Sequence, residues 1–583
     1  MAALFHDLRY ALRMLSKTPG FTFVAIITLA LGIGANTAMF SMVDGVLMGP
    51  LPFKDPQQLY TLWERNSKLG YEQNPPAAGN FRDWRNHNTV FEQLAAFDAS
   101  RTFNLAGTGT PERVDGAAVS SSIFELLGVK PALGRTFSSE EDQPGRDRVV
   151  ILGYGLWRRR FNADPSIVGK TVSIDGKDCT VIGVMPAGFQ FPGNTGTILD
   201  IFTAPAAQLW MPLALTDHQW SERSSHYLQV IARLKPAVTS AQAQTEMNSI
   251  ERQLVSAYPK DYIGTDVNFV SLHSQVVGSY RTSLLVLFGA VVAVLLICCA
   301  NVANLYLAQA ASRQKEMAVR FVMGAGRSRL IRQLVTESLL LATVGGAFGI
   351  LLAYWAIRFL KLILPETLPN ADLIHINLPV LIFTLVATVA TGLLFGLLPA
   401  IQASRADLTD SLKKSERGLE GIQHNRLRGL LVVSEVALAL VLLVGTGLLL
   451  RSFVRLQEVS LGFVPEHVLT MEVSLSDVQY PDPQKAVFFA QVLEKIRALP
   501  GVESAGAIGH LPLGGKIESY DLQIEGHAPL PNEYANPDNH VVEPGYFQAM
   551  KIALLNGRVF QGPVFRVCDD ADNFATEPVE TQL

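Results

Sequence analysis

Residues 283–308 read SLLVLFGAVVAVLLICCANVANLYLA, twenty-six positions without one charged side chain. As a helix this stretch rises about 39 Å, more than the ~30 Å hydrocarbon core of a bilayer. Four further runs share the pattern: 21–43, 334–357, 378–401 and 429–450. None contains Lys or Arg. Their only carboxylates are Glu337 and Glu435, each within about two turns of one end, where a long side chain is expected to snorkel to the interface. One such run alone reads as a buried core helix. Five in one chain predict an α-helical membrane protein with five transmembrane helices.

The composition follows from these runs. Across 583 residues only 17% are charged, against about 25% in soluble domains, and mean hydropathy is +0.23. The five runs cover 119 residues and hold two of the charges; outside them the charged share rises to 21%. The deficit is local. A net charge of -4 argues against a nucleic-acid binder held by bulk positive charge.

The first run competes with a signal peptide, since Arg9, Arg13 and Lys17 precede it. Its 23 apolar residues exceed the roughly 7–15 of a secretory core, and no small-x-small cleavage site closes it, so a retained span is expected. Within residues 1–20, Phe5, Leu8, Leu12 and Leu15 recur at spacings of three and four. This is the pattern of an amphipathic helix lying in the interface, in contact with membrane lipid.

Orientation follows from the basic residues. The leader carries three Lys or Arg, 309–333 carries six and 402–428 carries six, whereas 358–377 has only Arg358 and Lys361. Basic loops stay inside. The N-terminus is therefore expected in the cytoplasm, with 44–282 and 451–583 outside. Short β-branched runs at 149–153, 171–174 and 180–184, bounded by Gly, Asp and Pro, predict strands; residues 148–152, 157–161 and 167–172 also read as strand-like. Ala241, Met247, Ile250, Leu254 and Ala257 predict a helix over 241–257. Two large extracytoplasmic α+β domains result. Cys298 and Cys299 are adjacent within a span, leaving Cys179 and Cys568 as the one external pair open to bridging.

An offset of 423 aligns Val119 with Val542, Phe124 with Phe547, Val129 with Ile552, Gly134 with Gly557, Arg135 with Arg558 and Phe137 with Phe560. The shared context after a first-of-set span favours an internal repeat. Past Phe560 the similarity stops, and residues 561–583 diverge, so the second external domain is expected to be incomplete.

The loop after the second span, Arg313-Gln-Lys-Glu316-Met-Ala-Val-Arg320-Phe-Val-Met-Gly324-Ala325-Gly-Arg327, followed by Glu337, Gly345, Gly346 and Gly349, resembles the signature of MacB/FtsX-like ABC transporter permeases. Residues 31–40, LGIGANTAMF, resemble the duplicated permeases of that family found in acidobacteria. The resemblance covers about 1–560. It implies one helix, a large external MacB-like periplasmic core domain and three more helices per unit. A duplicated chain would have eight spans, and five are legible here, which reads as a second half cut short. It also implies that Glu316, Arg320, Gly324, Ala325 and Arg327 dock on a separate ABC ATPase subunit, in the bacterial inner membrane. A second copy and a periplasmic adaptor are further partners left open.

The residues themselves fit that implication. Glu316 and Arg320 form an i,i+4 pair on a short helix that Gly324 and Gly326 end. The blander reading is that these cations only obey the positive-inside rule and attract anionic lipid. No catalytic residue, cofactor or metal site is expected in the chain. The nearest P-loop echo, 164–171, has Asp164 where the first glycine belongs. The acidic run Glu140, Glu141 and Asp142 reads as a solvated loop. Within the membrane, Gly345 with Gly349 and Gly392 with Gly396 give small-xxx-small faces for close helix approach. Asn301 and Asn304 are candidates to hydrogen-bond across the bundle.

The function expected is a permease subunit that couples ATP hydrolysis in a partner chain to movement of the external domains. The alternatives are a membrane-anchored binding or sensory protein without a motor, and a non-functional fragment of a duplicated permease.

Overall fold

The chain opens with two helices, α1 (Ala2–Lys17) and α2 (Pro19–Met42), separated only by Thr18. Pro19 at the first helical position costs no hydrogen bond and pre-sets φ for the helix. A π-turn, Val43–Met48, ends α2 and delivers the chain to a sheet domain. The computed structural model describes residues 2–66, 71–107, 109–189, 191, 207–259, 266–312, 327–363, 373–405, 421–475, 480–514 and 539–559.

The sheet domain is built from β1 (Leu59–Asn66), β2 (Tyr71–Asn74), α3 (Ala78–His87), β3 (Phe91–Ala106), β4 (Glu112–Val119), α4 (Ile123–Leu127), β5 (Leu133–Gly134), β6 (Val149–Leu152), α5 (Tyr154–Phe161), β7 (Thr171–Ile174), β8 (Lys177–Val184), β9 (Leu209–Pro212), α6 (Asp217–Ser221), β10 (Gln229–Leu234), α7 (Ser240–Ala257) and β11 (Asp266–Ser271). The sheet runs β11-β1-β10-β3-β4-β9-β6-β8-β5, with β2 on β1 and β7 joining β3 and β8. Both faces are covered, as the alternation along the central strands shows. Val230, Ala232 and Leu234 of β10 and Leu94 and Ala96 of β3 pack with Phe81, Trp84, Met247 and Ile250 of α3 and α7. Their neighbours Ile231, Ala95 and Phe97 point the other way, onto Phe124 and Leu127 of α4 and onto Trp210.

The strands expected at 149–153, 171–174 and 180–184 form as β6, β7 and β8. Two details differ. Residues 157–161 lie in helix α5, because Leu156 with Arg160 and Trp157 with Phe161 turn inward four residues apart while Arg158 and Arg159 face out, a helical rather than a two-residue period. Along α7 the inward side chains are Ala243, Met247, Ile250 and Leu254; Ala241 and Ala257 are exposed.

Four long helices follow: α8 (Leu272–Ser312), α9 (Arg327–Lys361), α10 (Leu378–Arg405) and α11 (Gly421–Glu458). With α2, they make five helices among the described residues long and apolar enough to cross a membrane. α2, α8, α9 and α10 pack together through Leu29, Ile33, Val302, Ala303, Leu341, Ala342 and Phe395, with α1 adding Leu15. α11 differs, since its apolar stretch buries no residue against the other described residues.

The described residues of 102–114, 171–179 and 458–583 form a second compact unit. There β3 pairs with β7 at Leu105↔Ile174, and Asp175 and Gly176 turn the chain with left-handed backbone. α12 (Asp482–Arg497) and α13 (Tyr546–Ala549) also belong to it. Arg497 binds both carboxylate oxygens of Glu543, at 2.8 and 2.9 Å.

The 423-residue repeat is also a repeat of backbone geometry. Gly128 N–H donates to Glu125 O and Val129 N–H to Phe124 O; Lys551 N–H donates to Gln548 O and Ile552 N–H to Phe547 O. Gly128 and Lys551 both take the left-handed conformation that closes the short helix, at φ 70° and 52°. Lys551 adopts it without glycine's freedom, so the motif holds against a conformational cost.

Candidate functional site

The chain enters and leaves the sheet domain on neighbouring strands. After the π-turn, Leu51 inserts into the core that holds Phe124 and Trp210, and β1 begins eight residues later. β11 pairs antiparallel with β1 from Tyr60↔Ser271 to Arg65↔Asp266. Its last residue adjoins Leu272, the first residue of α8, which is buried in the same core. Both connections to the bundle are thus plugged into one hydrophobic core, and no flexible linker separates strand from helix at the exit. α8 then runs 41 residues, about 62 Å, as a single rod.

Polar contacts fix the junction. Buried Arg233 donates from Nη2 to Lys54 O at 2.7 Å and to Leu126 O at 2.6 Å, binding the segment after α2 to the end of α4. At the bundle's rim Asn377 Nδ2 donates to Asp44 Oδ2 at 2.6 Å, while its Oδ1 accepts from Val380 N–H and caps α10. Beside β1 lies a buried charge network. Glu64 accepts from Asn80 Nδ2 at 2.7 Å and lies 3.0 Å from His226 Nδ1; Arg223 donates to Asn80 Oδ1 and Asp83 Oδ2. Burial alone would lower the His226 pKa, but hydrogen bonding and charge from Glu64 more than offset it and hold it above the usual histidine value.

Inside the bundle the glycines sit at backbone crossings. A Cβ on Gly349 would lie 3.1 Å from Gly34 N and 3.2 Å from Ala30 O, and one on Gly345 would lie 2.8 Å from Leu29 Cβ. α2 therefore offers Ala30 and Gly34, itself a small-xxx-small pair, to Gly349 of α9, and Leu29 to Gly345. On α10, a Cβ at Gly392 would meet Leu339 and Ala342 of α9, and one at Gly396 would run into Ser338. α2, α9 and α10 are locked by close backbone approach, which without a hydrophobic effect between lipid-bathed helices is what holds them.

The hydroxyls at this seam keep partners on their own helix. Thr37 donates to Ile33 O, Ser41 to Thr37 O and Thr384 to Val380 O, while Thr37 and Thr384 meet across the seam at 3.0 Å. Separating the helices would break the Thr37–Thr384 contact without orphaning a donor. α8 is held to α2 by an amide, Asn36 Nδ2 to Val291 O at 2.9 Å.

Several expected residues lie elsewhere. Glu316, Arg320, Gly324 and Ala325 fall outside the described residues, as does Cys568. Arg327 is the first residue of α9. Among the described residues the inter-helix amide is Asn36, not Asn301 or Asn304: Asn301 is exposed, and Asn304 Oδ1 is buried with no hydrogen bond to a described residue. Glu337 does not snorkel; it is buried within the bundle. Asp164 accepts from Ser166 N–H and pairs with Lys170 Nζ at 2.8 Å. That pairing and the serine hydrogen bonds hold its carboxyl down at about 2, so the P-loop echo is a capped turn. The acidic run is structural: Glu141 pairs with Arg135 at 2.6 Å, and Asp142 accepts from Ser121 and Ala214 N–H, tying its loop to the ends of β4 and β9.

Asn36, Thr37, Asp44 and Arg233 were missed in the sequence. The signal for the first was available, since Asn36 is the one amide in a run at 21–43 that is otherwise apolar but for small hydroxyls.

Residues 22–250 match the MacB-like periplasmic core domain, and residues 288–408 match the FtsX-like permease C-terminal family. The chain is 28% identical over 303 residues to the macrolide export ATP-binding/permease protein MacB of Salmonella paratyphi A, covering 52% of this chain and 43% of that protein. It is likewise 28% identical over 298 residues to MacB of Escherichia coli K12, covering 51% and 43%. The chain thus spans less than half the length of these relatives. A solved structure of the periplasmic region of MacB from Actinobacillus actinomycetemcomitans aligns at 14% identity with a TM-score of 0.28, covering 42% of this chain and 97% of that one.

Proposed function

Because this chain is a MacB/FtsX-like ABC transporter permease, a multi-pass inner-membrane protein with an extracytoplasmic domain, we propose that it works by mechanotransmission. A separate ABC ATPase subunit binds the cytoplasmic segment at 313–326, with Glu316 and Arg320 at the contact. Closure of that ATPase on ATP moves the segment and with it α8. The sheet domain outside follows, driving export or release of a substrate from the membrane or periplasm. The N-terminus and the segment 309–333 are cytoplasmic in this scheme, and 44–282 and 451–583 are external.

The observation that carries the reading is the direct continuation of β11 into α8. A rod whose first residue is a core residue of the sheet domain cannot shift without shifting that core. The glycine contacts among α2, α9 and α10 supply a second stiff body for α8 to move against. Co-purification tests the docking step. Wild type is expected to retain its ATPase partner, and the Glu316→Lys/Arg320→Glu variant to lose it; retention of every candidate ATPase by the double variant would remove the docking claim.

A further inference from the structure

The leader helix α1 presents three distinct faces. Asp7, Ala11 and Leu15, four residues apart, are buried against the bundle, where Asp7 Oδ2 accepts from Arg332 Nε at 2.8 Å. Leu8 and Leu12 are exposed and apolar. Arg9, Arg13 and Lys17, again four apart, are exposed, and among the described residues no carboxylate pairs with them. Asp7 is the sole acid of the first twenty residues, and it is turned inward. The outer surface of α1 is therefore a cationic row flanked by apolar side chains, attached by an ion pair to the second turn of α9.

We propose that α1 is a docking surface for anionic phospholipid headgroups, and that the Asp7–Arg332 pair transmits its position to the start of α9. Charge complementarity selects the occupant. Leu8 and Leu12 need an apolar phase, three unpaired cations need phosphate, and only an anionic leaflet supplies both side by side. A soluble acidic partner would leave the leucines uncovered, and a zwitterionic surface would leave the cations without net attraction. The pair lies six residues beyond the segment at 313–326. The consequence for ATPase coupling rests on the function proposed above; the lipid site does not.

The test uses the full chain, purified in detergent, with phosphatidylglycerol or phosphatidylcholine added. Bound lipids are counted by native mass spectrometry, and thermal stability is followed in parallel. Wild type is expected to retain phosphatidylglycerol preferentially and to gain stability from it. Arg9→Gln/Arg13→Gln/Lys17→Gln is expected to bind it on the order of a hundredfold more weakly, at about one kcal/mol per basic residue. The lysine variant Arg9→Lys/Arg13→Lys should retain binding, because a headgroup asks for charge and not for a particular fork geometry. All substituted side chains are exposed, so stability without lipid should be unchanged, which separates lost binding from lost folding. Equal retention of the two lipids by wild type, or undiminished phosphatidylglycerol retention by the glutamine variant, would overturn the proposal. Either result would leave the ATPase-docking reading standing.

Discussion

Replacing Gly34 by alanine tests whether α2 and α9 are held by backbone contact. A Cβ at Gly34 would lie 2.8 Å from Gly349 O and 3.3 Å from Gly349 Cα and Leu352 Cβ. The first distance falls about half an ångström short of ordinary carbon–oxygen contact, and the obstructing atom is backbone, so no rotamer relieves it. The helices must separate. A gap of 0.5–1 Å forfeits about a quarter to a half of each dispersion contact along the seam, and overpacking of this kind typically costs about 1–3 kcal/mol. Alanine returns up to about 1 kcal/mol of helix propensity. A net loss near 1 kcal/mol follows for Gly34→Ala, and roughly 3 kcal/mol for Gly34→Ile. Gly447→Ala on α11 is the control, since its Cβ would meet nothing within 4 Å and only the propensity gain remains. Thermal unfolding of the full chain in detergent should rank Gly447→Ala at or above wild type, then Gly34→Ala, then Gly34→Ile, with several degrees between the two alanine variants. Equal stability of the two alanine variants would refute close backbone packing as the force that holds this seam.

Other outcomes follow from the same geometry. Thr37→Val should cost under about 1 kcal/mol, because Thr384 keeps Val380 O as an acceptor; the cost is read by the same unfolding assay. Arg233→Ala should destabilise strongly, by about 3 kcal/mol, leaving Lys54 O and Leu126 O buried without their donor, and limited proteolysis should then cut between α2 and β1. His226 has its folded pKa raised, so protonation favours the folded state. That stabilisation is complete below the unfolded value near 6.5 and fades as pH rises through the folded value. The unfolding temperature of wild type should therefore decline above pH 6.5 relative to His226→Gln, which is expected to lack that decline.

Much of the fold was legible because the bilayer imposes a coarse requirement. Twenty apolar residues without charge have few soluble uses, and all five runs lie in long helices. Strands such as β6 and β8 were visible for a similar reason, as β-branched runs between turn residues. The misreadings arose where one side chain's fate depends on what packs over it. Glu337 sits at a depth from which carboxylates ordinarily snorkel, and the bundle covers it instead. Asn301 and Asn36 are alike in sequence, and only the rotation of each helix decides that Asn36 faces α8. The junction was the least legible part. Leu51 and Leu272 are 221 positions apart, and nothing local marks them as members of one core. The glycine pairs were conspicuous as a spacing, but the partners of Gly349, Ala30 and Gly34, emerge only from the crossing of α2 over α9.

Mechanotransmission is tested most directly by a distance across the junction. Spin labels are placed on the exposed face of β3 at Glu92 and on the bundle at Phe359 of α9, in the full chain reconstituted in vesicles with the proposed ATPase. If ATP closure drives the sheet domain through α8, trapping the ATPase with ADP and vanadate should change this distance in the wild type and leave it unchanged in Glu316→Lys/Arg320→Glu. A wild-type distance indifferent to nucleotide, or an equal change in the double variant, would contradict it.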